Sequence, residues 1–337
     1  MFGAAAIGAA VSLAARHSAR NEHWWRGKVV LITGGSRGLG LALARELARR
    51  GCQLVLCARR PEELESAMRD LTAGGATVLA IPCDVTDRFQ VESMIEQAIQ
   101  RFGRLDVVVN NAGVIQVGPV DAMTMDDFRF AMDVMFWGVV HTTLAALPHM
   151  RQRSEGRIVN ITSVGGKVSV PHLLPYCCAK FAAAAFSEGM SAELHGSGIK
   201  VVTIAPGLMR TGSYLNAIFK GAEEGEAAWF SISSSLPGLS MSADRAARQI
   251  IRATEMGRAE RILTVPANLL ARFHGLFPGV TAEMLGIIGR ALPQTPIETK
   301  TGAQTHALNK PWLRALTTLG RKAAARYLQP TRGLAGI

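Results

Sequence analysis

A chain of 337 residues, 48% apolar and 19% charged, rich in Gly and Ala and without a low-complexity tract, has ample material for a large core and is not a disordered polymer. Its formal charge of +11 favours anionic ligands without choosing among phosphates, nucleic acid and acidic lipid, because summed positive charge steers anions whatever the fold. Cys52, Cys57, Cys83, Cys177 and Cys178 form no C-x-x-C pair, and their odd number suits a reducing, cytoplasmic compartment; the histidines show no zinc-ligand spacing, so no metal is expected.

Residues 1–26 are expected to form an N-terminal arm. The first 15 are apolar and precede Arg16 and Arg20, but a bilayer span takes roughly 20 apolar residues, and a secretory signal would begin with basic residues. Peripheral membrane contact stays open. From residue 27 strand and helix patterns alternate: near-continuous Val/Ile/Leu runs at 28–33, 53–57, 77–81, 105–110, 157–161 and 200–204 predict buried strands. Between them, 39–50, 62–71, 88–102, 125–150 and 176–195 carry apolar residues at helical spacing. This alternation predicts an α/β fold, a single Rossmann-like doubly wound parallel sheet. Residues 207–240 are punctuated by Gly, Ser and Pro and suggest a substrate lid within a catalytic domain of 27–265. A helix at 243–254 and a last strand at 261–265 follow. Residues 266–337 form an apolar, then basic C-terminal extension with no further βα alternation.

The first strand runs into T-G-G-S-R-G-L-G, comprising Thr33, Gly34, Gly35, Ser36, Arg37, Gly38, Leu39 and Gly40. A glycine turn opening a helix brings a dinucleotide pyrophosphate against backbone N–H groups and the positive helix end. An acid about 20 residues beyond such a turn would bind the ribose hydroxyl of NAD. Here Ala58 stands in that place, followed by Arg59, while Arg37 lies inside the turn. Two guanidinium groups answer a 2′-phosphate by charge-assisted hydrogen bonds, so NADP(H) is the expected cofactor.

Tyr176 and Lys180 in Y-C-C-A-K are four residues apart, on one face of a helix. A free phenol has a pKa of roughly 10, and a neighbouring ammonium lowers it, fitting Tyr176 for proton transfer. Ser163 ends the strand R-I-V-N-I-T-S, where open α/β sheets hold their ligands, and its hydroxyl can orient a carbonyl oxygen.

With these motifs in this order, the chain resembles the short-chain dehydrogenase/reductase family over roughly residues 27–265. The resemblance implies a Rossmann-like oxidoreductase with Ser163, Tyr176 and Lys180 as its catalytic set, Tyr176 and Lys180 also holding the cofactor. It implies further cofactor contacts at Asp84 and Val85 in C-D-V-T-D, at Asn111, Ala112 and Gly113 in N-N-A-G, and at Pro206, Gly207 and Thr211 in the segment that touches the nicotinamide amide. One position departs. The family often places an asparagine where this chain has Met135, in D-V-M-F-W-G. A thioether is only a weak acceptor, so proton supply to Lys180 must run through backbone carbonyls, water or another side chain. Hence the competing expectation of a catalytically weak NADP(H)-binding regulatory or interaction protein.

His172, Leu173, Leu174, Leu208, Met209, Trp229 and Phe230 are expected around the substrate mouth and favour a small apolar carbonyl or alcohol substrate. Homo-oligomer formation is left open. Lys300, Lys310, Arg314, Arg321, Lys322, Arg326 and Arg332 make the tail basic. Without a recognisable nucleic-acid module it reads as a solvated helix, and no nucleic-acid partner is expected.

Overall fold

The computed structural model describes residues 24–293 and 298–329; most of the expected N-terminal arm, and Arg332, lie outside these described residues. In chain order the elements are β1 (Val29–Thr33), α1 (Gly38–Arg49), β2 (Gln53–Ala58), α2 (Pro61–Ala73), β3 (Val78–Pro82), α3 (Arg88–Phe102), β4 (Val107–Asn110), β5 (Gln116–Val117), α4 (Met125–Met132), α5 (Gly138–Arg153), β6 (Gly156–Ile161) and α6 (Leu174–Glu193). They continue with β7 (Ile199–Pro206), β8 (Met209–Arg210), β9 (Ile218–Gly221), α7 (Glu223–Ser235), β10 (Met241–Ser242), α8 (Ala243–Glu255), β11 (Glu260–Leu263), α9 (Val265–Leu276), α10 (Pro278–Ala291), β12 (Glu298–Thr301), α11 (Pro311–Leu316) and α12 (Thr318–Arg326).

Seven parallel strands form the main sheet in the order β11-β7-β6-β4-β1-β2-β3. Alternate side chains of β1 point to opposite faces, as the strand period requires. Val30 and Ile32 join Leu41 and Leu47 of α1 and Ile250 of α8 on one side. Val29 and Leu31 meet Val91 and Met94 of α3 and Leu147 of α5 on the other. Both faces are covered, and the strands are apolar throughout for that reason.

The structure adds three features that the sequence pattern did not carry. The expected helix 125–150 is interrupted by one π-helical turn, Asp133–Trp137. By length and composition Met125–Arg153 is long and apolar enough to cross a membrane, yet half of its apolar window is buried against the rest of the chain. Residues 207–240 are ordered: β9 pairs with β5 and, antiparallel, with β12 of the C-terminal extension, while α7 packs over them through Ala227 and Phe230. The extension also returns to the main body, where Ala323 and Tyr327 enter the core beside α1. Its basic residues are partly paired: Lys300 meets Glu223 at 2.8 Å and Lys310 meets Glu224 at 2.7 Å, both acids lying in the first turn of α7.

Candidate active site

The carboxyl ends of β1, β2, β4, β6 and β7 open on one cleft of about 300 Å3. It begins at the glycine turn. Gly34 and Gly38 take φ of +63° and +58°, left-handed values that cost a side chain about 1–2 kcal/mol. A Cβ on Gly40 would stand 2.1 Å from the Gly34 carbonyl oxygen, so no side chain fits between turn and helix. Helix α1 has no side-chain cap and no acid in its first turn, and the Leu39 and Gly40 N–H groups, by helix geometry, lack intrahelical acceptors. An uncapped positive helix end at a glycine cradle fits a pyrophosphate. The Gly38 N–H is already engaged by the Tyr327 carbonyl at 2.9 Å, and Gln329 joins the cleft wall.

Behind the turn, the Thr33 hydroxyl accepts from the N–H groups of Asn111 (3.0 Å) and Ala112 (3.1 Å). The Asn111 amide donates to the Thr33 and Gly34 carbonyls at 3.0 and 3.1 Å. Strand β4 therefore fixes the turn's shape. Thr33 and Gly40 brace it without lining the cleft, whereas Gly34, Ser36, Arg37, Gly38, Leu39, Arg59, Asp84, Val85, Asn111, Ala112, Gly113, Pro206, Gly207 and Thr211 all line it together with Ser163, Tyr176 and Lys180.

The two arginines differ. Arg59 is exposed. Arg37 donates to Glu63 at 3.0 Å, and Arg60 pairs with the same carboxylate at 2.9 Å. Burial lowers the Arg37 pKa and Glu63 works against it. Nothing in R-R-P-E-E betrayed that Glu63 reaches back across 26 residues; in the sequence it is an ordinary first-turn acid.

On the chemical side, Ser163 stands just past the end of β6 and its Oγ accepts from the Gly165 N–H at 3.0 Å. The glycines after it bring this loop onto α6. A Cβ on Gly165 would lie 3.2 Å from the Tyr176 ring and 3.4 Å from Ser163 Oγ, and one on Gly166 would meet the Lys180 carbonyl oxygen at 2.6 Å. Tyr176 hydrogen-bonds Ser163; burial still pushes its phenol up to about 12, the bond to Ser163 offsetting only part of this. Lys180 is 5% exposed and donates to the Ile161 carbonyl at 2.8 Å. Its Nζ stands 5.8 Å from the Tyr176 ring centroid, and burial pulls it down to about 8. Burial is the largest influence on the phenol and raises it, where the spacing alone suggested a lowering by the Lys180 ammonium. At neutral pH the Tyr176 phenol therefore keeps its proton.

Met135 is fully buried in the π turn, and its Sδ would stand 3.7 Å from a Cβ on Gly113. Lys180 meets a backbone carbonyl instead. Of the residues expected at the substrate mouth, Met209 lines the cleft, with Val114, Ile115 and Ile218 beside it. His172, Leu173, Trp229 and Phe230 instead pack around α7. The buried carboxylate of Glu226 takes His172 Nδ1 at 2.6 Å and accepts from Trp229 Nε1 at 2.6 Å, while Leu173 and Phe230 pack into the same small core.

A parallel α/β sheet with a glycine cradle, a basic rim and a Ser/Tyr/Lys set at its carboxyl edge defines the nucleotide-linked oxidoreductase class. The short chain dehydrogenase family model matches residues 28–217, more than half of the chain, and the protein belongs to the short-chain dehydrogenase/reductase family. It is 40% identical over 205 residues to a dehydrogenase/reductase SDR family protein 7-like of Anopheles gambiae, covering 59% of this chain and 64% of that one. To the human dehydrogenase/reductase SDR family member 7 it is 36% identical over 195 residues, 56% of this chain and 58% of the relative. The chain thus spans somewhat under two thirds of the length of these curated relatives. Among solved structures, a gluconate 5-dehydrogenase from Burkholderia cenocepacia in complex with NADP and tartrate superposes with a TM-score of 0.63 at 29% identity, covering 72% of this chain and 96% of that one. Levodione reductase superposes with a TM-score of 0.61 at 28% identity, covering 71% and 96%.

Proposed function

We propose that the protein is an NADP(H)-dependent reductase or alcohol dehydrogenase acting on a small apolar carbonyl or alcohol. The observation that carries this reading is the convergence of Ser163, Tyr176 and Lys180 on the cleft that opens with the glycine turn. When bound, the dinucleotide supplies or accepts a hydride at the substrate carbon. The turn and the α1 N-terminus would hold its pyrophosphate, Asp84 and Val85 its adenine, and Pro206, Gly207 and Thr211 its nicotinamide amide. Exposed Arg59, with Arg37 if Glu63 yields it, would answer a 2′-phosphate; the NADP of the gluconate 5-dehydrogenase relative supports this without deciding it. Ser163 orients the substrate oxygen, Tyr176 gives or takes its proton, and Lys180, anchored to the Ile161 carbonyl, positions the ribose and places positive charge beside the phenol. Val114, Ile115, Met209 and Ile218 shield the oxygen from water and favour an apolar substrate, under the lid at 207–240.

The test is a panel of ketones and alcohols followed by NADPH absorbance, beside calorimetric titration with NADPH and NADH. Turnover that disappears in Tyr176→Phe is expected, with tighter binding of NADPH. The buried Met135 favours a second reading, a weakly catalytic NADP(H)-binding regulator. It gains if both cofactors are tested, NADPH binds, and no carbonyl or alcohol turns over.

A further inference from the structure

A second cleft, of about 750 Å3, lies at the beginning of α9, remote from the Ser163 loop in the chain and lined by none of the catalytic residues. Arg210, Arg245, Arg261 and Arg272 converge on it, and no Asp or Glu is among its lining residues. Arg210 is fixed by the Ser240 carbonyl at 2.6 Å and Arg272 by Asn268 Oδ1 at 2.9 Å. The guanidinium groups of Arg245 and Arg261 have no ion-pair or hydrogen-bond partner among the described residues. The two acids adjoining them in sequence are taken: Asp244 pairs with Arg326 at 2.8 Å and Glu260 with Lys167 at 3.4 Å. Four like charges sharing a cleft repel one another, and a bound phosphate would relieve that repulsion while offering acceptors to every guanidinium.

The same cleft is continuous with an apolar surface. Val265 and Leu269 belong to its lining and begin the outer side of the α9–α10 hairpin, where Val265 is 72%, Leu269 63%, Leu276 74% and Ile287 68% exposed. Along both helices only Ala267 and Thr281 are buried, and Arg272, Glu283 and Arg290 are the sole charges from 265 to 291. Scattered exposed leucines mean little, but a contiguous face of this kind marks a contact surface. A second copy of the chain is the poorer occupant, since a symmetric contact would set four arginines against four in a protein already carrying +11. An amphiphile with an anionic head and apolar tails complements both parts at once.

We propose that the α9–α10 hairpin and the four-arginine cleft dock this protein on an anionic phospholipid bilayer, the hairpin entering the interface and the cleft receiving a headgroup phosphate. The proposal is independent of the catalytic reading. It is tested by co-flotation of the full chain with vesicles of phosphatidylcholine alone or mixed with phosphatidylglycerol. The parent should float with the mixed vesicles and much less with the neutral ones. Each arginine near an anionic surface contributes roughly fivefold to partitioning, so Arg245→Ala with Arg261→Ala should weaken it about 25-fold. Leu269→Asp with Ile287→Asp, both at exposed positions, should abolish it while thermal unfolding stays at the parental temperature; if that variant does not fold, the arginine pair decides. Inorganic phosphate at constant ionic strength, competing for the cleft alone, should weaken flotation no more than the arginine pair does and should not release the protein outright. Failure of the parent to float, undiminished flotation of the arginine variant or of the folded hairpin variant, or release by phosphate alone would each overturn the proposal. So would a concentration-dependent dimer in sedimentation that the hairpin variant abolishes without any vesicle binding by the parent.

Discussion

Burial draws the Lys180 ammonium from 10.5 down to about 8, so the folded chain gives up this proton about 2.5 pH units before the unfolded chain does. Between those values the unfolded state binds more protons, and stability must rise with pH in that window. The slope is about 1.36 kcal/mol per unit, giving about 3 kcal/mol in full and between 2 and 3 kcal/mol from roughly pH 7 to 10. Lys180→Met keeps the apolar stem and removes the titration. Its loss of the hydrogen bond to the Ile161 carbonyl shifts stability by an amount that varies little with pH below the folded pKa. The unfolding free energy of the parent minus that of the variant should therefore grow by about 2–3 kcal/mol across the range, other groups cancelling in the difference. Urea unfolding of both proteins at several pH values, with equal dependence on denaturant, measures it. A difference that stays flat would refute the claim that Lys180 is held in its disfavoured charged form. By the same reasoning, reductive turnover should fall as pH rises through about 8.

Tyr176→Phe retains the ring and removes the proton, so turnover on any identified substrate should drop by about 10²–10⁴, much more than NADPH affinity; parental turnover in a folded, cofactor-bound variant would show the donor to be another group. Gly40→Ala places a Cβ 2.1 Å from a backbone oxygen and should cost about 1–3 kcal/mol of stability while raising the NADPH dissociation constant; unaltered calorimetry and unfolding would mean that the turn gives way freely. Arg59→Ala should weaken NADPH binding about tenfold or more and leave NADH binding alone, as loss of one charge-assisted hydrogen bond implies. Met135→Asn puts an amide into a fully buried position, so it should lower stability by about 1–3 kcal/mol without raising turnover. A large gain in rate would identify Met135 as the weak point of proton supply.

The sequence by itself determined what depends on local pattern. Val/Ile/Leu runs two-sided in their apolarity marked the strands of the main sheet to within two residues at nearly every end, and the glycine turn, the Tyr176–Lys180 pair and Ser163 were visible because each is a short motif fixed to one strand end or one helix turn. Only the tertiary structure decided what those motifs meet. Glu63 reaches Arg37 from the next helix, Gly165 and Gly166 let the serine loop close on α6, and Glu226 gathers His172 and Trp229 around α7, none of which a helical or strand period encodes. The phenol's rise to about 12 belongs here too, since spacing showed its neighbour but not its burial. Residues 266–337 were the least readable stretch: β12 is paired by β9, some 80 residues earlier, and Tyr327 is seated by the Gly38 N–H across the whole nucleotide-binding half. Such contacts join segments that are each unremarkable alone, and their energy comes from surfaces that exist only once the chain has folded.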